Sequence, residues 1–140
     1  MKTLRLKKSV MVSTRQKQWL YVTFAILWVS GSAWLLATYV ASLPILFDPP
    51  LWLKIHGAAG FAFLLILGAL LQQHVPAGWK ENRQRPSGIL LIAGSAFLIL
   101  TGWGLYYVGG DTFRHALSIS HSWLGVLLPL AIVLHVWVRR

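Results

Sequence analysis

Charged residues are absent from four long stretches of the chain. Residues 18–47, Ile55–Gly78, Pro86–Gly110 and His115–Val138 contain no Asp, Glu, Lys or Arg. A helix needs about 20 residues to cross the hydrocarbon of a bilayer. The runs therefore predict four spans, Leu20–Leu43, Leu51–Val75, Ile89–Val108 and Ala116–Val138. The spans take up most of the chain and leave no soluble domain. A signal-peptide apolar core is about 7–15 residues. The first run is about twice that length, and Tyr39-Val40-Ala41 lacks a small-x-small cleavage pattern, so it reads as a membrane helix. The expected fold class is all-α: an integral membrane four-helix bundle with up-down topology. Residues 1–18 form a basic segment, and residues 19–140 hold the four spans.

Several helix ends are also legible. Asp48-Pro49-Pro50 places an N-cap acceptor ahead of prolines suited to a first turn. The second helix should start near Pro49 and end at Val75, before Pro76 and Gly78. Ser87 is a candidate cap for the third helix. Asp111 or Thr112 is one for the fourth, extending it beyond its apolar run.

Composition supports the membrane reading. Of 140 residues, 56% are apolar and 11% charged, whereas soluble domains carry about 25% charge. With no Cys, the chain has no disulfide, thiolate-held iron–sulfur cluster, Cys zinc site or C-x-x-C-H haem attachment. The net charge of +10 is 13 Lys and Arg against three Asp and Glu, and all the basic residues but Lys54 and Arg114 flank the spans on one side. By the positive-inside rule both termini are cytoplasmic. Nucleic-acid binding is not implied, because the N-terminal basic run is equally the flank of the first span. Trp19, Trp79 and Trp137 fall at the inner interface. Trp52, Trp103, Tyr106, Tyr107 and Trp123 fall near the outer one, as amphipathic rings prefer.

The five histidines carry the candidate chemistry. His56 and His74 lie on the second helix, and His115, His121 and His135 on the fourth. In an up-down bundle these two helices are parallel. A helix turns about 100° and rises about 1.5 Å per residue. His56 and His74 therefore share a face about 27 Å apart, and His121 and His135 lie within about 40° and about 21 Å of each other. Pairing across gives His56 with His121 outside and His74 with His135 inside. Two stacked bis-imidazole pairs suit two b-type haems, each iron taking two axial ligands. Gly60 and Gly125, four residues after His56 and His121, stand on the ligand faces and leave room for a porphyrin. At the inner pair Ala131 is small but Leu70 is not. His115, beside Arg114, reads as an interfacial residue, with a substitute ligand or proton carrier as its sharper role. Gly31, Gly94, Gly102 and Gly104 read as helix-packing residues. Gln72 and Gln73 have the chemistry for a quinone, although interhelical hydrogen bonds or the inner interface are the plainer assignment. Lys54, Arg114, Lys80, Arg83, Arg139 and Arg140 are candidate partners for haem propionates.

The pattern resembles small bacterial four-helix membrane di-haem cytochrome b-like proteins. The resemblance covers about residues 50–140. It rests on His56-Gly57, Gly68, His74-Val75, Gly78-Trp79, Asn82-Arg83, Ser87-Gly88, Thr101-Gly102, Leu105-Tyr106-Tyr107, His121, Gly125, Pro129 and His135. It implies a bacterial inner-membrane protein in which His56, His74, His121 and His135 ligate haem b, two or one per chain. It further implies electron transfer between the quinone pool and a redox partner: a c-type cytochrome, a flavoprotein or a dehydrogenase subunit. Respiratory cytochromes b usually space the ligands on one helix by about one haem-to-haem distance, as His121 and His135 are spaced, and the 18-residue spacing of His56 and His74 departs from it. The rival class is a cofactor-free membrane subunit whose histidines pack helices or move protons. A transition-metal carrier fits less well, since intramembrane acids and Met or Cys clusters are lacking.

Overall fold

In the computed structural model, residues 12–39, 48–82 and 84–137 are described. Among them all regular structure is helical: α1 (Thr14–Tyr39), α2 (Pro49–Lys80), α3 (Arg85–Tyr107) and α4 (Asp111–Trp137). Each helix is long and apolar enough to cross a membrane. Leu43 and Val138, expected as span ends, lie outside the described residues. So do Lys2, Arg5, Lys7, Lys8, Arg83, Arg139 and Arg140.

The helices fall into two compact units, α1 with α2 and α3 with α4. In the first, Gln16 Nε2 donates to Gln73 Oε1 at 3.4 Å, while Ser30 meets His56. Early α1 thus lies against late α2, and the pair is antiparallel. In the second, Ser87 meets His135, Gly94 faces Leu128, and Gly104 faces Leu117. This pair is also antiparallel. Small residues fill the seams: Thr23, Ser30, Ala33 and Ala59 are buried in one unit, and Gly94, Ser95, Thr101 and Gly104 in the other. Small side chains let helix backbones approach, which is how helices associate without a hydrophobic driving force. Large apolar side chains instead face outward, with Phe61 75%, Leu65 80% and Leu100 67% exposed. In water this surface would be a liability, whereas lipid solvates it.

Four helix ends differ from expectation. First, α1 starts at Thr14, ahead of the apolar run, because Ser13 and Gln16 form a capping box. Ser13 N–H donates to Gln16 Oε1 at 3.1 Å, and Gln16 N–H to Ser13 Oγ at 3.2 Å. These bonds satisfy two of the orphan donors of the first turn. Second, α2 begins at Pro49 as expected but runs through Pro76 to Lys80. A proline removes one backbone donor, a loss that membrane helices absorb. The Glu81 N–H, bonded to the Ala77 carbonyl at 3.2 Å, closes the end. Third, the N-cap of α3 is Gln84 in the left-handed conformation, φ 49°. Ser87 is a turn inside, its Oγ donating to the Gln84 carbonyl at 3.2 Å. Fourth, Asp111 is the first residue of α4, within the turn rather than capping it. Asp48 does occupy the N-cap of α2, but only its carbonyl takes part, accepting from Leu51 and Trp52 N–H.

Candidate haem-ligating histidines

Each hydrogen bond that a histidine ring makes constrains its orientation. His56 is half-buried on α2, facing α1. Its Nδ1 lies 2.9 Å from the Leu27 carbonyl and 3.3 Å from Ser30 Oγ. A carbonyl only accepts, so Nδ1 carries the proton. Ser30, 1% exposed, gives its own hydroxyl proton to the Ile26 carbonyl at 2.6 Å. Toward His56 it is therefore an acceptor as well.

The second hairpin repeats this logic. His121 Nδ1 is 2.9 Å from Thr101 Oγ1, whose proton goes to the Phe97 carbonyl at 2.8 Å. The threonine oxygen thus accepts from Nδ1–H. His135 Nδ1 is 2.9 Å from Ser87 Oγ, and that hydroxyl donates to the Gln84 carbonyl. In a neutral ring with the proton on Nδ1, Nε2 carries the lone pair that a metal takes. Donation of the second ring N–H to a carboxylate, a backbone carbonyl or water is the usual support of a metal-ligating histidine; His56 has the carbonyl, and His121 and His135 have a hydroxyl in that place.

Glycines complete the seats. A Cβ on Gly31 would come within 3.0 Å of His56 Cε1, and one on Gly102 within 3.3 Å of His121 Cε1. Gly88 stands off at 3.9 Å from His135 Cε1. Gly31 and Gly102 are thus packing residues, as expected, and what they pack against is a candidate ligand. Gly94 and Gly104 pack against leucines. A Cβ on Gly60 would meet nothing within 4 Å, and one on Gly125 only Leu98 Cδ2 at 3.9 Å. The space beside His56 is open, and that beside His121 has one ordinary contact.

His74 is half-buried near the far end of α2, next to Gln73. The Gln73 bond to Gln16 meets the interhelical expectation for that residue. His115 is exposed in the first turns of α4. Each hairpin thus carries two of the four candidate ligands. Ser30, Ser87 and Thr101 were not singled out from sequence as partners of the histidines.

Among the described residues, no group of three or more His, Cys, Asp or Glu side chains could share a metal ion. A haem iron asks less of the protein, since two axial imidazoles suffice. A single ring whose Nδ1–H is held by a carbonyl, as at His56, fits that demand. Comparison of the chain with protein-family models, curated proteins and solved structures gives no match.

Proposed function

We propose that this chain is a membrane electron-transfer protein that binds b-type haem between α2 and α4. His56 pairs with His121 toward the outside, and His74 with His135 toward the inside. The chain lies up-down in a bacterial inner membrane with both termini in the cytoplasm, as the Lys and Arg distribution argues. The supporting observation is the hydrogen bonding of Nδ1 at His56 to a carbonyl, which can only accept, and at His121 and His135 to the hydroxyls of Thr101 and Ser87. Haem supplies one-electron chemistry when bound. The protein orients the imidazoles, excludes water and sets the polarity around the iron. The electrons pass to or from a partner: a c-type cytochrome, a flavoprotein or a dehydrogenase subunit. Quinone is a candidate donor or acceptor.

The same hydrogen bonds favour one other reading. Interhelical bonds from polar side chains hold membrane helices together, at about 0.6 kcal/mol each on average. A cofactor-free subunit would use the histidines in that way.

A reduced-minus-oxidised spectrum of purified protein, with haem quantified per chain, separates the readings. The expected result is a b-type band, two haems per chain, and loss of one on changing either member of a pair to Ala. One haem per chain would retain the electron-transfer reading and remove one pair. Colourless protein made with ample haem would overturn it in favour of the cofactor-free subunit.

A further inference from the structure

The chain has Ser/Thr–Gly dipeptides at Ser30-Gly31, Ser87-Gly88 and Thr101-Gly102. Each lies against a different histidine of the helix packed beside it: His56, His135 and His121. The hydroxyl sits at Nδ1, and the glycine leaves room for the ring edge at Cε1. In the second hairpin the two seats are in register. Ser87 and Thr101 are 14 residues apart on α3, as are His121 and His135 on the antiparallel α4. A general packing motif would meet apolar side chains more often than imidazoles.

We propose that these dipeptides are imidazole holders, and that Thr101 is a positioning residue acting through His121. This rests on the haem reading above. Thr101 is 4% exposed, and its hydroxyl proton is committed to the Phe97 carbonyl. Its oxygen therefore draws on the Nδ1 proton of His121. That pull fixes the tautomer, aims Nε2 and raises the basicity of the ligand. A more basic ligand favours ferric over ferrous iron. Replacing the acceptor with a methyl group should raise the midpoint potential of the haem on His121.

The test compares wild type with Thr101→Val, a near-isostere without the hydroxyl, and Thr101→Ser, which keeps it. Redox titration of the purified full chain should show one midpoint in Thr101→Val raised by about 59 mV, a tenfold change in the ferric-to-ferrous balance. Thr101→Ser should stay at the wild-type value. Ser87→Ala, tested through His135, provides the same comparison should Thr101→Val fail to fold. Haem-loaded Thr101→Val with unchanged midpoints would overturn the inference and leave the electron-transfer reading intact. Should wild type carry no haem, that reading fails, and 15N NMR of labelled histidines still decides the inference. A proton on His121 Nδ1 in wild type that shifts to Nε2 in Thr101→Val supports it, and an unchanged tautomer overturns it.

Discussion

Gly31→Ala tests whether the His56 ring is tightly seated. The added Cβ would lie 3.0 Å from Cε1 and 3.1 Å from Nδ1 of His56. Carbon atoms rest at about 3.5–4.0 Å, so the ring must retreat from α1 by about 0.6 Å. Its anchor is on α1 too, the Leu27 carbonyl at 2.9 Å. The retreat stretches that bond to about 3.5 Å, the edge of hydrogen bonding. Losing it costs about 0.5–1.5 kcal/mol, and overpacking adds about 1–3 kcal/mol. Against this stands a gain of about 1 kcal/mol for replacing a helical glycine with alanine. The net expectation is destabilisation by about 2 kcal/mol and, on the proposed function, loss of haem from the proposed His56 site. Gly88→Ala should reverse the sign, because its Cβ meets His135 Cε1 at an ordinary 3.9 Å. Gly102→Ala, at 3.3 Å from His121 Cε1, should fall between them. Reversible unfolding in mixed micelles gives the stabilities, and extraction gives haem per chain. Equal costs for Gly31→Ala and Gly88→Ala would refute the reasoning, since they would show that ring contact does not set the cost.

Two other outcomes are expected. Ser30→Ala should leave haem content unchanged and cost under about 1 kcal/mol, because His56 Nδ1 keeps the Leu27 carbonyl; haem loss as large as in His56→Ala, measured by the same extraction, would contradict this. The chain has no Cys, so single cysteines report topology directly: an impermeant maleimide should label Gly109→Cys in intact cells and Glu81→Cys only after permeabilisation.

The helices were legible because membrane insertion demands a simple signal. Four uncharged runs predicted α1 to α4, and Asp48-Pro49-Pro50 marked the start of α2. The ends were harder because local side-chain chemistry decides them. Ser13 and Gln16 cap α1 beside the basic residues Arg15 and Lys17, where the apolar pattern gives no cue. Pro76 looked like a stop because proline breaks helices in water. The histidines stood out as costly residues in apolar spans. Their hydroxyl partners did not, because serine and threonine in a membrane helix can satisfy themselves on the preceding turn. Ser30 and Thr101 do so while also serving the histidines. The available signal was the dipeptide, repeated with the spacing of His121 and His135.

Helix geometry also bears on how many haems the proposed pairs hold. His56 and His74 share a face because their spacing is five full turns, and His121 and His135 nearly do because theirs is close to four turns. The mismatch is therefore one of height, about 6 Å. A helix tilt of about 20° shortens a rise of about 27 Å by less than 2 Å, and only a tilt near 40°, the extreme of the observed range, would remove the difference. Tilt alone does not equalise the two ladders. Any adjustment must also respect His56, a proposed ligand on α2, because its Nδ1 is held by the Leu27 backbone carbonyl, a partner that side-chain rotation cannot move.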